Sequence, residues 1–306
     1  MATPTRDDVE RARETIGDRL TETPMLSSRT IGARLKCELF QRTGSFKSRG
    51  ALNKLSSLTT EEKWRGVIAI SAGNHAQAVA FAAQQEGVDA LVVMWQGASE
   101  LKAAATRGYG AQVDQEAKDP AEAFERLHDL QEQTGRTLVH PFDDPVVIAG
   151  AGTAGLEIEE QAPDADAVIV AVGGGGLVSG IQTAIGHRMR VIAVEPELSQ
   201  ALHQGIAHGA PTPVTPTSIA DGLNAPFAGA LPVEICKDIE RHLVTEDEIH
   251  HAFRTLYERA HLACEPAAAA AAAAWLSGRI QAEKPVLVVS GGNVAGPTAA
   301  AILAGR

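Results

Sequence analysis

Five apolar residues, Val168 to Val172, run directly into four glycines, Gly173 to Gly176, and these open the helix-like stretch LVSGIQTAIG. An apolar run without alternation reads as a strand buried on both faces, the environment of a parallel sheet covered by helices. The glycines let the chain turn sharply and present bare backbone N–H groups at the positive end of the next helix. That is an anion cradle of the kind that holds phosphate. A tight turn needing glycine only for its φ is the plainer alternative. The dinucleotide fingerprint GxGxxG fails here, because the sixth position is Val178 counted from Gly173 and Ser179 counted from Gly174. Glu195 nevertheless stands about where a ribose-binding acid would, which keeps a nicotinamide reading in play.

Similar apolar runs occur at Val67 to Ile70, Ala90 to Met94, Val191 to Val194 and Val286 to Val289, separated by helical patterns. The fold class is α/β, with two open, twisted, mainly parallel sheets flanked by helices. One cluster of strands lies before His140 and one after Pro163, so two domains with a ligand cleft between them are expected. A chain of 306 residues exceeds the roughly 250 that one core usually serves. A first helix is expected from Arg6 to Leu20, capped by Thr5, with Val9, Ala12, Ile16 and Leu20 on one face. The eight alanines 267 to 274 predict a tightly packed core helix, and Gly209 to Thr217, with three prolines, an extended surface loop. Glu246, Asp247 and Glu248 follow Thr245 as a capped helix start.

The net charge of −11, from 38 acidic and 27 basic side chains without a long basic run, argues against nucleic acid as a partner. Trp64, Trp95 and Trp275 are too scattered to form a stacking platform for bases. Cys37, Cys236 and Cys264 form neither a disulfide framework nor a zinc motif and read as buried, reduced thiols. No signal-peptide pattern opens the chain and no window reaches the roughly 18 apolar residues of a membrane span, so a cytoplasmic protein is expected.

Two further strands end in glycine turns. Ser71-Ala72-Gly73-Asn74-His75 follows VIAI and opens a helix; its hydroxyl, amide and backbone N–H groups suit a carboxylate receptor, or an ordinary cap. Ser290-Gly291-Gly292-Asn293 follows VLVV. Lys47, in QRTGSFKSRGA, has the commonest fate of lysine, a solvated charge, as its bland reading. Beside a phosphate cradle, a desolvated lysine becomes a candidate Schiff-base nucleophile.

On these residues the chain resembles the threonine/serine dehydratase and serine racemase family of pyridoxal phosphate enzymes, which have the tryptophan synthase β-like fold, fold type II. TGSFKSRGA resembles the family's cofactor-lysine segment, SAGNHAQ its asparagine loop, GGGG its phosphate loop and SGGN the segment bearing the partner of the pyridine nitrogen. ATRGYGA, HPFDDPVVIAGAGTAGLEI, IADGLN and TEDEI follow in the family's order, so the likeness spans nearly the whole chain. The resemblance implies a large cofactor-binding domain of residues 1–52 and 143–306, a small domain of 53–142 carrying the asparagine loop, and an active site between them. It makes Lys47 the cofactor lysine and the acid-base group at the substrate α-carbon. Phe46 packs near the ring, Asn74 reaches the ring hydroxyl and Ser290 bonds the pyridine nitrogen. Gly173, Gly174, Gly175 and Gly176 hold the phosphate, and the loop Ser71, Ala72, Gly73, Asn74 and His75 receives the substrate carboxylate. A hydroxyl such as that of Ser290 leaves the pyridine largely neutral, which favours expulsion of a β-hydroxyl over transamination. The implied reaction converts a β-hydroxy amino acid such as L-threonine, L-serine or threo-3-hydroxyaspartate to a 2-keto acid and ammonia, in a homodimer.

Departures from the family pattern sharpen this. Racemases carry a second serine after the first of the asparagine loop, as the acid-base group of the opposite face; here that position is Ala72, which favours a dehydratase over a serine or aspartate racemase. The family often holds a divalent cation, such as magnesium, through a Glu after the phosphate loop and an acid six residues on. Glu195 matches the first but Ala201 stands at the second, so Glu195 is either a cation ligand or a helix or loop anchor. The chain ends 13 residues after Asn293, which suits a short catabolic enzyme without an effector domain. Among rivals, an NAD-dependent oxidoreductase leaves SAGNH, SGGN and Lys47 unexplained, a non-catalytic amino-acid binder has no need of Lys47, and β-replacing synthases resemble SGNTG instead.

Overall fold

The computed structural model describes residues 2–305. Among the described residues, ten strands form two sheets. The larger has the order β1-β2-β10-β7-β8-β9 and comprises β1 Met25–Ser28, β2 Ala33–Cys37, β7 Ala167–Ala171, β8 Arg190–Pro196, β9 Glu240–Val244 and β10 Pro285–Val289. β1 pairs antiparallel with β2, and every other pairing in this sheet is parallel. The smaller sheet, order β5-β4-β3-β6, is wholly parallel and comprises β3 Val67–Ile70, β4 Ala90–Trp95, β5 Gln112–Ala117 and β6 Thr137–Leu138.

The helices are α1 Arg6–Ile16, α2 Lys47–Ser56, α3 Thr60–Arg65, α4 Asn74–Glu86, α5 Glu100–Gly108, α6 Pro120–Thr134, α7 Pro145–Gln161, α8 Gly176–Ile185, α9 Ala201–His208, α10 Ala230–Ile235, α11 Glu246–Arg259, α12 Pro266–Leu276 and α13 Gly296–Leu303. None of them is long and apolar enough to cross a membrane.

All five apolar runs are strands. The sequence did not mark β1, β2, β5, β6 and β9, for identifiable reasons. β1, β5, β6 and β9 lie at sheet edges, where one flank is open and the residues are polar or few. β2 is interior, but its apolar run is broken by Lys36, which is fully buried with an ionic partner. The first helix starts at its Thr5 capping box, yet ends at Ile16 rather than Leu20, because Gly17 begins a tighter 3₁₀ turn. α11 starts at the expected Thr245 box. α12 is buried along its whole alanine run, since methyl side chains let it lie close under the larger sheet. The three cysteines are free and buried.

One polar cluster sits inside this apolar frame. Arg49 on α2 donates from Nε to Glu38 at 2.7 Å and from Nη1 to Glu157 on α7 at 2.7 Å. Lys36 Nζ donates to the Thr23 carbonyl at 2.8 Å, to Gln161 at 2.9 Å and to Glu157. Burial draws the Lys36 pKa down, but three acceptors around one nitrogen require the ammonium form. Burial alone would raise Glu157; Arg49 and Lys36 outweigh it and hold the carboxyl below its usual range. The cluster ties β2 and α7 to the first turn of α2.

Candidate active site

The segment before α2 runs beside the end of β10. Ser45 and Gly291 form an antiparallel bridge, Phe46 N donates to the Ser290 carbonyl at 3.1 Å, and Gly292 N donates to the Gly44 carbonyl at 2.9 Å. Two segments that are remote in sequence, TGSFK and SGGN, thereby become one structure. Lys47 is the first residue of α2, its Nζ 5.2 Å from the Phe46 ring centroid and donating to the Pro141 carbonyl at 2.8 Å. Burial lowers its pKa to about 8, and the carboxylate of Glu265 restores only part of the loss. Lys47 is thus a lysine whose free amine is accessible near neutral pH, as a Schiff-base nucleophile requires.

The glycine run joins β7 to α8. Gly175 has a φ of +97°, and a Cβ on Gly174 would run into the Phe142 ring, so side chains are excluded there by conformation and by space. No side chain caps the N-terminus of α8, whose first amides are left for a ligand. A bare helix start behind a side-chain-free turn suits a phosphate group, and the depressed lysine suits an aldehyde. The two are linked through residues 139–143. The Pro141 carbonyl receives Lys47, and Phe142 lies on Gly174 and Gly176. Asp143 accepts from the Ala230 and Leu231 amides at 3.1 and 2.9 Å, at the start of α10. His140 packs edge-on against Phe142.

In the asparagine loop, α4 starts at Asn74 with no side-chain cap, and Ser71 Oγ accepts from Gly73 N at 3.1 Å. These half-buried residues keep amides available for an anion. His75 contributes less than the sequence reading gave it. Its ring is buried and donates from Nε2 to the Val139 carbonyl at 2.8 Å, and desolvation, then the Lys47 charge, pushes its pKa down to about 3. The imidazole is a neutral strut between α4 and residue 139, so only the backbone of His75 can serve a carboxylate. Ser290 is buried at 5% exposure, one residue beyond β10, and its carbonyl accepts from Phe46 N.

Glu265 escaped the sequence reading, and Asn293, named there only as the end of the SGGN segment, was given no role. Asn74 Nδ2 donates to Glu265 Oε1 at 2.8 Å, and Asn293 Nδ2 donates to Asn74 Oδ1 at 2.8 Å and to the Thr43 carbonyl at 2.7 Å. Glu265 precedes Pro266, the first residue of α12. A lone acid before an all-alanine helix was the available signal.

Glu195 is an anchor and does not fit a cation site. Its Oε1 accepts from Leu202 N at 2.7 Å and its Oε2 from His203 N at 2.8 Å, so both oxygens cap the first turn of α9. Among the described residues no group of three or more His, Cys, Asp or Glu side chains is placed to hold a metal ion. Hard cations need several oxygens, and Ala201 supplies no side-chain carboxylate.

Comparison with known proteins agrees with this geometry. Residues 16–292 match the family model described as pyridoxal-phosphate dependent enzyme. The chain is 42% identical over 307 residues to the catabolic L-threonine dehydratase of Escherichia coli strain K12, covering 94% of this chain and 92% of that one. Among solved structures, the serine racemase of Dictyostelium discoideum superposes with a TM-score of 0.90 at 37% identity, covering 96% of this chain and all (100%) of that one. A threonine deaminase from T.th. superposes with a TM-score of 0.89 at 38% identity, covering 95% of this chain and 99% of that one. A lysine of depressed pKa, a side-chain-free anion cradle and an uncapped asparagine loop meet in a chain that belongs to the family of pyridoxal-phosphate-dependent enzymes.

Proposed function

We propose that this pyridoxal-phosphate-dependent ammonia-lyase acts on a β-hydroxy amino acid, L-threonine first among the candidates and L-serine and threo-3-hydroxyaspartate next, releasing a 2-keto acid and ammonia. The observation that carries elimination over racemisation is Ala72: the asparagine loop has a hydroxyl at Ser71 and none at the next position, so no second acid-base group faces the substrate there. Bound pyridoxal phosphate supplies the aldehyde and the electron sink that make the substrate α-proton acidic. Lys47 holds the cofactor and takes the α-proton, and Phe46 packs beside the ring. Gly173, Gly174, Gly175 and Gly176 hold the phosphate on backbone amides. Asn74 addresses the ring hydroxyl and Ser290 the pyridine nitrogen. The uncapped start of α4, from Ser71 to His75, receives the substrate carboxylate through the Ser71 hydroxyl and backbone N–H groups.

The smaller sheet carries the asparagine loop and the larger sheet the lysine and glycine loop. This supports a division into a domain of residues 53–142 and one of 1–52 with 143–306, with the reaction between them; a cytoplasmic homodimer is part of the same proposal and rests on the family resemblance. Proton NMR in heavy water with the candidate amino acids, followed by chiral analysis, tests the reading. Keto acid without inverted amino acid is expected; inverted, α-deuterated amino acid without keto acid would make the enzyme a racemase and refute the argument from Ala72. Sedimentation at several concentrations tests the dimer.

A further inference from the structure

Glu265 is an acidic side chain buried at 4% exposure with no part in the roles given above. Its backbone N donates to the Gly291 carbonyl at 3.1 Å, which fixes it beside the SGGN segment, and its Oε1 receives Asn74 Nδ2 at 2.8 Å. A Cβ on Gly291 would run into that same Oε1, so the glycine makes the space that the carboxylate occupies. On its other side Asn74 is held by Asn293. Both N–H groups of Asn293 Nδ2 are spent, one on the Thr43 carbonyl and one on Asn74 Oδ1. A flipped Asn74 amide would set its Nδ2 against the Asn293 Nδ2 and its oxygen against the Glu265 carboxylate. The amide is therefore oriented from both ends, and one N–H of Asn74 remains for a ligand.

From this geometry we infer that Glu265 is a positioning residue of the reaction: through Asn74 it aims the remaining amide N–H at the cofactor, with Asn293 as the second clamp. This rests on the proposed role of Asn74 toward the cofactor ring. Burial, then the neighbouring Asp221, raises the Glu265 pKa to about 7, while Asn74, Lys102 and Lys47 pull it back down. Cys264, the adjacent residue, is held neutral by its own burial, its pKa pushed up to about 12. Lys102 on α5 and Asp221 also pair with each other at 2.6 Å, so charges from the smaller and the larger sheet bear on this carboxyl. The clamp on Asn74 thus tightens as Glu265 ionises, and the orientation it enforces is pH-dependent around neutrality.

A double-mutant cycle on the cofactor-loaded enzyme tests the inference. Glu265→Ala is expected to lower kcat by about 10- to 100-fold with KM changed less than about 3-fold, the cost of losing one charge-assisted bond. Combined with Asn74→Ala, it is expected to cost nothing beyond Asn74→Ala alone, because Glu265 acts through that amide. Losses that multiply would overturn the inference. Glu265→Gln keeps an acceptor and removes the charge: kcat within about 5-fold of wild type is expected, together with loss of a titration near pH 7 in the visible absorption band. A Gln variant whose band titrates as in wild type would also overturn it, and this variant serves if Glu265→Ala does not fold. The absorption band and the dissociation constant for pyridoxal phosphate decide the role of Glu265 even if wild type makes no keto acid, an outcome that would sink the proposed reaction alone.

Discussion

Lys47 and Arg49 stand two residues apart on the first turn of α2, both cations facing buried carboxylates, and the protein treats them in opposite ways. Arg49 is enclosed by Glu38 and Glu157, with its guanidinium forked onto both, and its pKa is raised. Lys47 has a carbonyl and an aromatic face for company, feels Glu265 only at a distance, and falls to about 8. A buried charge with every donor satisfied fixes a structure; one left under-satisfied costs stability and keeps its reactivity. The helix start thus carries an anchor and a reagent side by side, and the anchor holds the reagent's backbone still.

The largest effect expected is on turnover. Lys47→Met should abolish it, by on the order of 10⁴-fold or more, while the protein folds and shows no visible cofactor band; retained keto acid formation would mean another lysine reacts. Arg49→Met should leave Glu38 and Glu157 buried without their partner and lower stability by about 3–5 kcal/mol, read as the urea midpoint. A loss below about 1 kcal/mol would erase the contrast between anchor and reagent.

Lys47→Met should have the opposite sign on stability. The folded pKa of Lys47 lies below its unfolded value, so below pH 8 the fold bears a charge it disfavours, and stability rises between about 8 and 10.5. In cofactor-free protein the variant should therefore be more stable than wild type at pH 7 by about 1–2 kcal/mol, a gain that vanishes above about pH 10.5. Glu157, held below its usual range, should contribute stability that is present above the unfolded carboxylate pKa and lost as pH falls through the folded value. Glu157→Gln should flatten that acid limb in denaturation series from pH 7 downward. The smallest effect concerns Glu195. Because its oxygens are spent on α9, exhaustive treatment with EDTA should change kcat/KM by less than about 2-fold, and loss of activity restored by magnesium would show a cation site built from other groups.

What could be read from the sequence followed from local physics. The unbroken apolar runs gave five interior strands, Thr5 and Thr245 gave their helix starts through capping boxes, and the alanine run gave a core helix. The glycine run stood out because four glycines after a buried strand restrict what the backbone can do, and Lys47 was singled out only by its pairing with such a cradle and by the family resemblance. The edge strands were hidden because an open flank tolerates polar residues, and β2 because Lys36 is paired with Glu157, far along the chain.

Sequence by itself determined the α/β class, the five interior strands marked by unbroken apolar runs, and the residue types that suit an aldehyde and a phosphate. Only the tertiary structure decided which of them meet. It turned the His75 ring onto Val139, spent Glu195 on a helix end, and brought Glu265 and Asn293 to either side of Asn74. Capping, propensity and turn chemistry act over a few residues and are written locally. Hydrogen-bond partners and buried charges are settled by which elements pack together, and Asn74 and Glu265, on different elements, carry no local mark of each other.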